Sequence, residues 1–126
     1  MATPGEQDVC NGGLQDLAFK YAESHDMETE SAYPYTSGRG KTGSCHYSKS
    51  KATDVEVKTY TNVRRNNVSQ MKMAAAKQPL SVSVDANGRG FMNYKSGIYD
   101  FVPSIVRLDH ATLVVGYGTD RGTPYW

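Results

Sequence analysis

The sequence predicts an α+β chain in which a helix in the first half is followed by a small, largely antiparallel β sheet or barrel. Apolar residues recur at the 3.6-residue spacing of a helix between Leu14 and Ala22. Residues 80–85 instead alternate strictly between apolar and polar side chains, and residues 111–118 are rich in β-branched side chains. These two kinds of periodicity indicate both helix and sheet.

The first half contains one predicted helix among irregular segments. The helix begins at Leu14, after the turn signal Asn11-Gly12-Gly13, and fades near Ser24-His25. Its apolar face comprises Leu14, Leu17, Ala18, Tyr21 and Ala22. Residues 26–53 are predicted to be mostly irregular, because residues 31–44 combine a proline, three glycines and several hydroxyl side chains.

Residues 53–79 are predicted to hold a strand and then a helix. The strand at 53–60 is indicated by two valines that alternate with charged neighbours. The helix at 68–77 follows Asn67, a predicted N-cap, and Gln70 occupies the capping-box position three residues later. Pro79 ends the helix, because the residue before a proline avoids the helical conformation.

The remaining residues are predicted to be mostly strands. In 80–85 the three apolar side chains share one face of a strand. A loop with one helical turn at 90–94 leads to a short strand at 98–101, and the strongest strand pattern is at 111–118. Residues 119–122 are a predicted turn, after which TPYW begins another strand.

Composition and charge exclude several classes of function. The 126 residues suffice for one domain, and a net charge of +1 without a basic run beyond Arg64-Arg65 does not favour nucleic-acid binding. No apolar run approaches a membrane span, and the first four residues lack the apolar core of a signal peptide. Two cysteines are too few for a disulfide framework. Asn67-Val68-Ser69 fits the N-glycosylation pattern.

The three histidines differ in their surroundings. His25 and His46 are predicted to be structural or merely exposed, and Cys45 beside His46 lacks metal-ligand spacing, so neither a metal nor a cofactor is predicted. His110 stands at the start of an apolar strand, directly after Asp109. Adjacent strand side chains point to opposite faces, so Asp109 is poorly placed to orient His110. Taken alone, such a histidine is more often structural than catalytic.

Six short motifs change that interpretation. They occur in this order: CNGG at 10–13, YPY at 33–35, SCHY at 44–47, QPLSVSVDA at 78–86, F-x-x-Y-x-x-GIY at 91–99 and LDHATLVVGYG at 108–118. In this order and spacing, the motifs closely resemble the papain family of cysteine peptidases, nearest to its cathepsin L-like branch. The resemblance extends from about Cys10 to Trp126.

The resemblance implies a papain-like fold, in which the active site lies between a helical domain and an antiparallel β-barrel domain. Residues 1–47 are then expected to be a remnant of the helical domain. Residues 48–126 are expected to be the barrel domain, truncated at its C-terminus.

The resemblance also implies roles for individual residues. His110 matches the catalytic histidine, which forms an ion pair with a cysteine thiolate and protonates the leaving amine. Gly12 and Gly13 match glycines whose backbone pairs with an extended substrate. The remaining expected substrate-binding residues, at or beside the pocket for the second residue before the cleaved bond, are Leu14, Ser83, Leu108, Asp109 and Ala111.

The sequence departs from the family at the nucleophile. It contains no Cys-Gly-Ser-Cys-Trp signature. The family histidine follows that cysteine by about 130–150 residues, so the nucleophile is expected upstream of Met1. The resemblance places the oxyanion-hole glutamine upstream too, and the histidine-orienting asparagine beyond Trp126. We expect the chain alone to be inactive, because general-base catalysis supplies only about 10²–10⁴-fold in a complete site.

The two cysteines are expected to have structural roles. The resemblance implies that Cys10, within CNGG, is not a nucleophile and that the disulfide partners of Cys10 and Cys45 lie upstream. Ser104 or Ile105 stands where the family has a third cysteine. Two free thiols are therefore expected, unless Cys10 and Cys45 pair with each other.

Three functional hypotheses remain open at this point. The first is a segment of a papain-like endopeptidase that acts on peptides or proteins. The second is a non-catalytic module that binds peptides or proteins, and the third is reconstitution of activity with the missing helical half. The family suggests a lysosomal or secreted location. Apolar surface that normally packs against a missing half also favours self-association.

Overall fold

The structure, a computed structural model, describes residues 12–41 and 43–126. The predictions for residues 1–10, including Cys10, fall outside this part. The chain divides into two compact units, the first ending at Asn62 and the second beginning at Val63. Within the described residues only Ala22 is buried, and many large apolar side chains are exposed.

The first unit contains helix α1, Gln15–Ala22, which confirms the helix predicted from the apolar spacing. Leu14 precedes it in an extended conformation. The end of α1 is closed by Ser24, whose hydroxyl donates to the carbonyl oxygen of Tyr21 at 3.2 Å. The described residues of 26–53 are mostly irregular, as predicted, and include a short 3₁₀ helix at Lys49–Lys51 and an isolated bridge between Glu28 and Ala52.

The strand predicted at 53–60 was wrong: none forms at these positions, all of which lie in the described part. Pairing begins beside this segment, where Glu28 bridges Ala52 and the Thr53 amide donates to the Met27 carbonyl at 2.9 Å. It goes no further along the segment. Alternation of side chains defines a face, but a strand also needs a neighbouring backbone to accept its hydrogen bonds.

In the second unit, helix α2 spans Val68–Ala75 and confirms the predicted helix and its N-cap. The Asn67 Oδ1 atom accepts from the Gln70 amide at 2.8 Å. Gln70 does not complete a capping box with Asn67. Its Oε1 accepts instead from the amide of Arg64 at 2.7 Å, which ties the preceding turn to the helix start.

Strand β1, Leu80–Val84, pairs antiparallel with strand β2, His110–Val114. The ladder runs from Leu80 opposite Val114 to Val84 opposite His110. The strand predicted at 111–118 is interrupted after Val114. One reason lies in the partner: Pro79 precedes β1, and a proline has no backbone N–H with which to continue the ladder.

Two further strands, β3 at Gly118–Asp120 and β4 at Thr123–Tyr125, form an antiparallel hairpin. Its two-residue turn, Arg121-Gly122, has positive φ angles of 48° and 85°, as in a type I′ turn. This confirms the predicted turn and the strand within TPYW. Hydrogen-bonded turns replace the helical turn predicted at 90–94.

The strand predicted at 98–101 was also wrong, since this described segment forms no ladder. The four strands of the described residues make two two-stranded sheets. Few helices together with antiparallel strands confirm the α+β class, whereas a closed barrel stays a prediction.

Candidate active site

His110 is the first residue of β2 and its imidazole is exposed. It lies opposite Val84, the last residue of β1, in the terminal pair of the ladder. Among the described residues, nothing makes a hydrogen bond with the ring of His110. The imidazole is therefore accessible, and its position depends on the backbone of β2 and on ring packing.

The ring packing comes from an aromatic row. The His110 imidazole meets the Phe91 ring edge-on, with centroids 6.2 Å apart and planes at 80°. Phe91 meets Tyr99 in the same way at 5.6 Å and 83°. The Tyr99 hydroxyl donates to the Arg89 carbonyl at 2.9 Å, which anchors the far end of the row. Edge-to-face contacts of this kind favour one orientation of each ring.

As the strand geometry predicted, Asp109 does not orient the imidazole of His110. Its backbone amide donates to the Val84 carbonyl at 3.1 Å. Its Oδ1 accepts from the Ala86 amide at 2.8 Å, and its Oδ2 accepts from the Asn87 side chain. The carboxylate is thus directed at the loop after β1.

The structure brings together two of the predicted pocket residues, because Ser83 lies directly opposite Ala111 in the ladder. Both are exposed. Successive residues of a strand point to opposite faces, so this pair lies on one face of the sheet and His110 on the other. Leu108 lies two residues before β2 and is 65% exposed.

The other predicted substrate-binding residues, Gly12, Gly13 and Leu14, belong to the first unit and lie just before α1. All three are exposed. Gly12 has φ of +103°, in the region that favours glycine, so its conformation explains the residue type. Leu14 is extended, with φ of −105° and ψ of 136°.

The remaining two histidines were predicted to be structural or merely exposed, and the structure has one of each kind. His25 stacks on Tyr21 with centroids 4.0 Å apart and planes at 4°, and its Nδ1 lies 3.0 Å from the Tyr21 carbonyl oxygen. His46 is exposed, and its amide donates to the Tyr33 hydroxyl at 3.1 Å. Partial burial, followed by the proximity of Cys45, raises the pKa of the Tyr21 phenol.

Residues 12–41 and 43–126 contain no cluster of three or more His, Cys, Asp or Glu arranged to hold a metal ion. In the same residues, no helix has the length and apolar character needed to cross a bilayer.

Sequence patterns missed three residues around His110: Asp85, Asn87 and Phe91. The hydrogen bonds of Asp85 and Asn87 that reach the segment before β2 join residues 22 positions apart in the sequence, and no local periodicity encodes them. Phe91 was identified only as the first residue of the F-x-x-Y-x-x-GIY motif, without a role at the site. A carboxylate directly after a strand, as Asp85 is, offers the one local signal, since it can accept amides that the ladder leaves unpaired.

Comparison with known proteins identifies the family that this chain matches. Residues 3–126 match the model of the papain family of cysteine proteases. A cathepsin L-like protein of Caenorhabditis elegans is 42% identical over 121 residues, which are 93% of this chain and 35% of that protein. A cathepsin L-like proteinase of Fasciola hepatica is 39% identical over 124 residues, 98% of this chain and 37% of that protein.

Solved structures agree with this match. A digestive procathepsin L2 proteinase from the larval midgut of Tenebrio molitor has a TM-score of 0.83 and 30% identity, covering 98% of this chain and 39% of that one. The bromelain protease of Ananas comosus, solved with the E64 inhibitor, has a TM-score of 0.80 and 32% identity, covering 96% of this chain and 54% of that one. The family match, the papain-like fold and the ordered motifs agree: the chain belongs to the papain family of cysteine proteases.

Proposed function

We propose that the chain is a segment of a papain-like cysteine endopeptidase, and that His110 is the acid–base partner of a cysteine thiolate carried elsewhere in the parent protein. One observation carries the proposal: an exposed imidazole at the start of β2, in a chain that belongs to this family. The chain spans only about a third of the length of the two cathepsin L-like relatives. The activity of the whole protein is therefore part of the proposal.

The proposed reaction breaks one peptide bond in two stages. The thiolate attacks the carbonyl carbon, a C–S bond forms, and the imidazolium of His110 gives its proton to the departing amine as the C–N bond breaks. Water then attacks the thioester while His110 accepts a proton from it. The thiolate leaves with the C–S electron pair, which restores the ion pair.

The substrate is proposed to bind as an extended peptide. Gly12 and Gly13 would pair with its backbone, because glycines let another chain approach closely. Ser83 and Ala111 would form one wall of the pocket for the second residue before the cleaved bond, which is supported by their direct pairing across the sheet. The other proposed lining residues are Leu14, Leu108 and Asp109.

A chimera tests this proposal. In the cathepsin L-like proteinase of Fasciola hepatica, the stretch that aligns with this chain is replaced by the chain itself, so that the relative supplies the missing parts. We expect the activated chimera to hydrolyse a peptide substrate and a thiol-blocking reagent to abolish this activity. The 126-residue chain alone is expected to show no hydrolysis, because the sequence lacks the nucleophile signature.

Two results would contradict the proposal. One is thiol-dependent hydrolysis by the 126-residue chain alone, which would assign catalysis to Cys10 or Cys45. The other is a folded chimera that binds a peptide inhibitor but does not cleave. If the 126-residue chain then binds an extended peptide, and loses it when Gly13 is replaced, the non-catalytic binding module becomes the better assignment.

A lysosomal or secreted location is the second part of the proposal, and Asn67 gives it a test. The sequon Asn67-Val68-Ser69 lies at the start of α2, where Val68 and Ser69 are exposed. The Asn67 Oδ1 atom caps the helix, and in the described chain no acceptor is assigned to Nδ2, the atom that a glycan would join. We expect the native protein to carry an N-linked glycan at Asn67, measured by mass spectrometry after enzymatic deglycosylation.

Asn66 is the matched control, since it is adjacent and exposed but outside the sequon. Expression with a signal peptide in a secretory host should modify the parent chain and its Asn66→Gln variant, but not Asn67→Gln. A native protein without the glycan, although the secretory host adds it, would argue against the proposed location.

The proposed partners are the helical half of the parent protein and a second copy of the chain. The segment before β2 supports an apolar interface, since Val102, Ile105 and Val106 are 82%, 72% and 60% exposed. Exposed apolar patches of this kind favour association with another surface.

A further inference from the structure

The pairing between β1 and β2 continues past the end of their ladder through side chains. The last backbone bond runs from the Asp109 amide to the Val84 carbonyl at 3.1 Å. Beyond it, Asp109 Oδ1 accepts from the Ala86 amide at 2.8 Å, and Asp85 Oδ2 accepts from the Arg107 amide at 2.8 Å. Each of the two carboxylates therefore accepts a backbone amide from the other side.

Asn87 connects these two carboxylates. Its backbone amide donates to Asp85 Oδ1 at 3.1 Å, and its side-chain Nδ2 donates to Asp109 Oδ2. Every carboxylate oxygen of Asp85 and Asp109 thus accepts an N–H from the polypeptide. We call Asp85, Asn87 and Asp109 the carboxylate clamp.

The carboxylate clamp lies immediately beside His110. The imidazole of His110 has no hydrogen-bond partner in the described part of the chain. The orientation of this ring therefore depends on where β2 begins and on the contact with Phe91. The clamp adjoins both determinants. It joins the residue before His110 to the loop after β1, and that loop leads within a few residues to Phe91.

We propose that Asp85 and Asn87 are positioning residues for His110, holding the start of β2 and the loop bearing Phe91 in the arrangement that orients the imidazole. This inference rests on the proposed function of His110. Neither residue touches the imidazole or the substrate. Asp85 acts through the backbone amide of Arg107, and Asn87 acts through the carboxylate of Asp109.

The first test uses nuclear magnetic resonance on the 126-residue chain, so it does not depend on peptidase activity. Asp85→Ala removes two acceptors, and Asn87→Ala removes only the side-chain donor. We expect both variants to weaken cross-relaxation between the ring protons of His110 and Phe91. The signals of Thr119 and Thr123 in the β3–β4 hairpin should stay unchanged, because the effect is local.

The control is Asp100→Ala, an exposed carboxylate of the same unit to which the described structure assigns no hydrogen bond. It should leave the His110–Phe91 contact as it is. The inference is overturned if the contact persists in both clamp variants, or if Asn87→Ala also disrupts the β3–β4 hairpin, which would indicate general destabilisation. If Asp85→Ala unfolds the unit, the same resonance signals measured in Asn87→Ala decide whether the inference holds.

The second test uses the chimera. There Asn87→Ala should lower kcat by about 10²-fold or less while KM changes little, since displacing a reacting group by about 1 Å has effects of this order. An unchanged kcat in a variant that has lost the ring contact would overturn the positioning role. An inactive parent chimera would count against the proposed function instead, and the resonance measurement would still decide the inference.

Discussion

Replacing His110 by alanine is expected to lower kcat/KM of the chimera by at least about 10³-fold. The imidazole is proposed both to hold the thiolate as an ion pair and to protonate the leaving amine, and alanine can do neither. KM should change much less, because the side chain belongs to the reacting groups rather than to the pocket. Steady-state kinetics with a peptide substrate measures both parameters.

The chain offers two matched controls for this change. His46→Ala removes an exposed imidazole of the first unit, and His25→Ala removes one that stacks on Tyr21 at the end of α1. His46→Ala should leave kcat/KM near that of the parent chimera, and His25→Ala should affect stability more than turnover. A His110→Ala variant that folds and retains most of its activity would refute the assignment of His110.

Fold class and local signals could be predicted from the sequence where neighbouring residues determine the structure. The Asn67 cap, the α1 spacing and the Arg121-Gly122 turn each depend on a few consecutive residues, and all three appear in the structure. The failed strands at 53–60 and 98–101 have a different cause. Side-chain alternation does not indicate whether a partner backbone is available for pairing.

The candidate site shows the same division. His110 was found through the motif around it, and its position at the start of β2 followed from the strand pattern, whereas its exposure is known from the structure. The carboxylate clamp was not found, because Asp85 and Asn87 reach across a separation of 22 residues. Such contacts become visible only when the register of β1 and β2 is known, since the register decides which side chains meet past the last pair.

The register also supports a second prediction with a large effect, on substrate preference. In the chimera, Ser83→Leu is expected to lower kcat/KM for a peptide with phenylalanine as second residue before the cleaved bond by about 10–200-fold. Ser83 lies opposite Ala111 in the proposed pocket wall, so three extra carbon atoms would occupy space meant for the substrate side chain. With alanine at that substrate position, kcat/KM should stay close to that of the parent chimera.

Ser81 provides the control for Ser83, because it has the same side chain, lies on the same face of β1 and pairs with Leu113 two residues further along the ladder. Ser81→Leu therefore makes the same chemical change at the same kind of strand position, away from the proposed pocket. It should lower kcat/KM for the two peptides equally or not at all. If Ser83→Leu also affected both peptides equally, the loss would reflect a distorted sheet, and Ser83 would no longer be assigned to the pocket. Only a loss confined to the phenylalanine peptide, and absent in Ser81→Leu, supports the wall formed by Ser83 and Ala111.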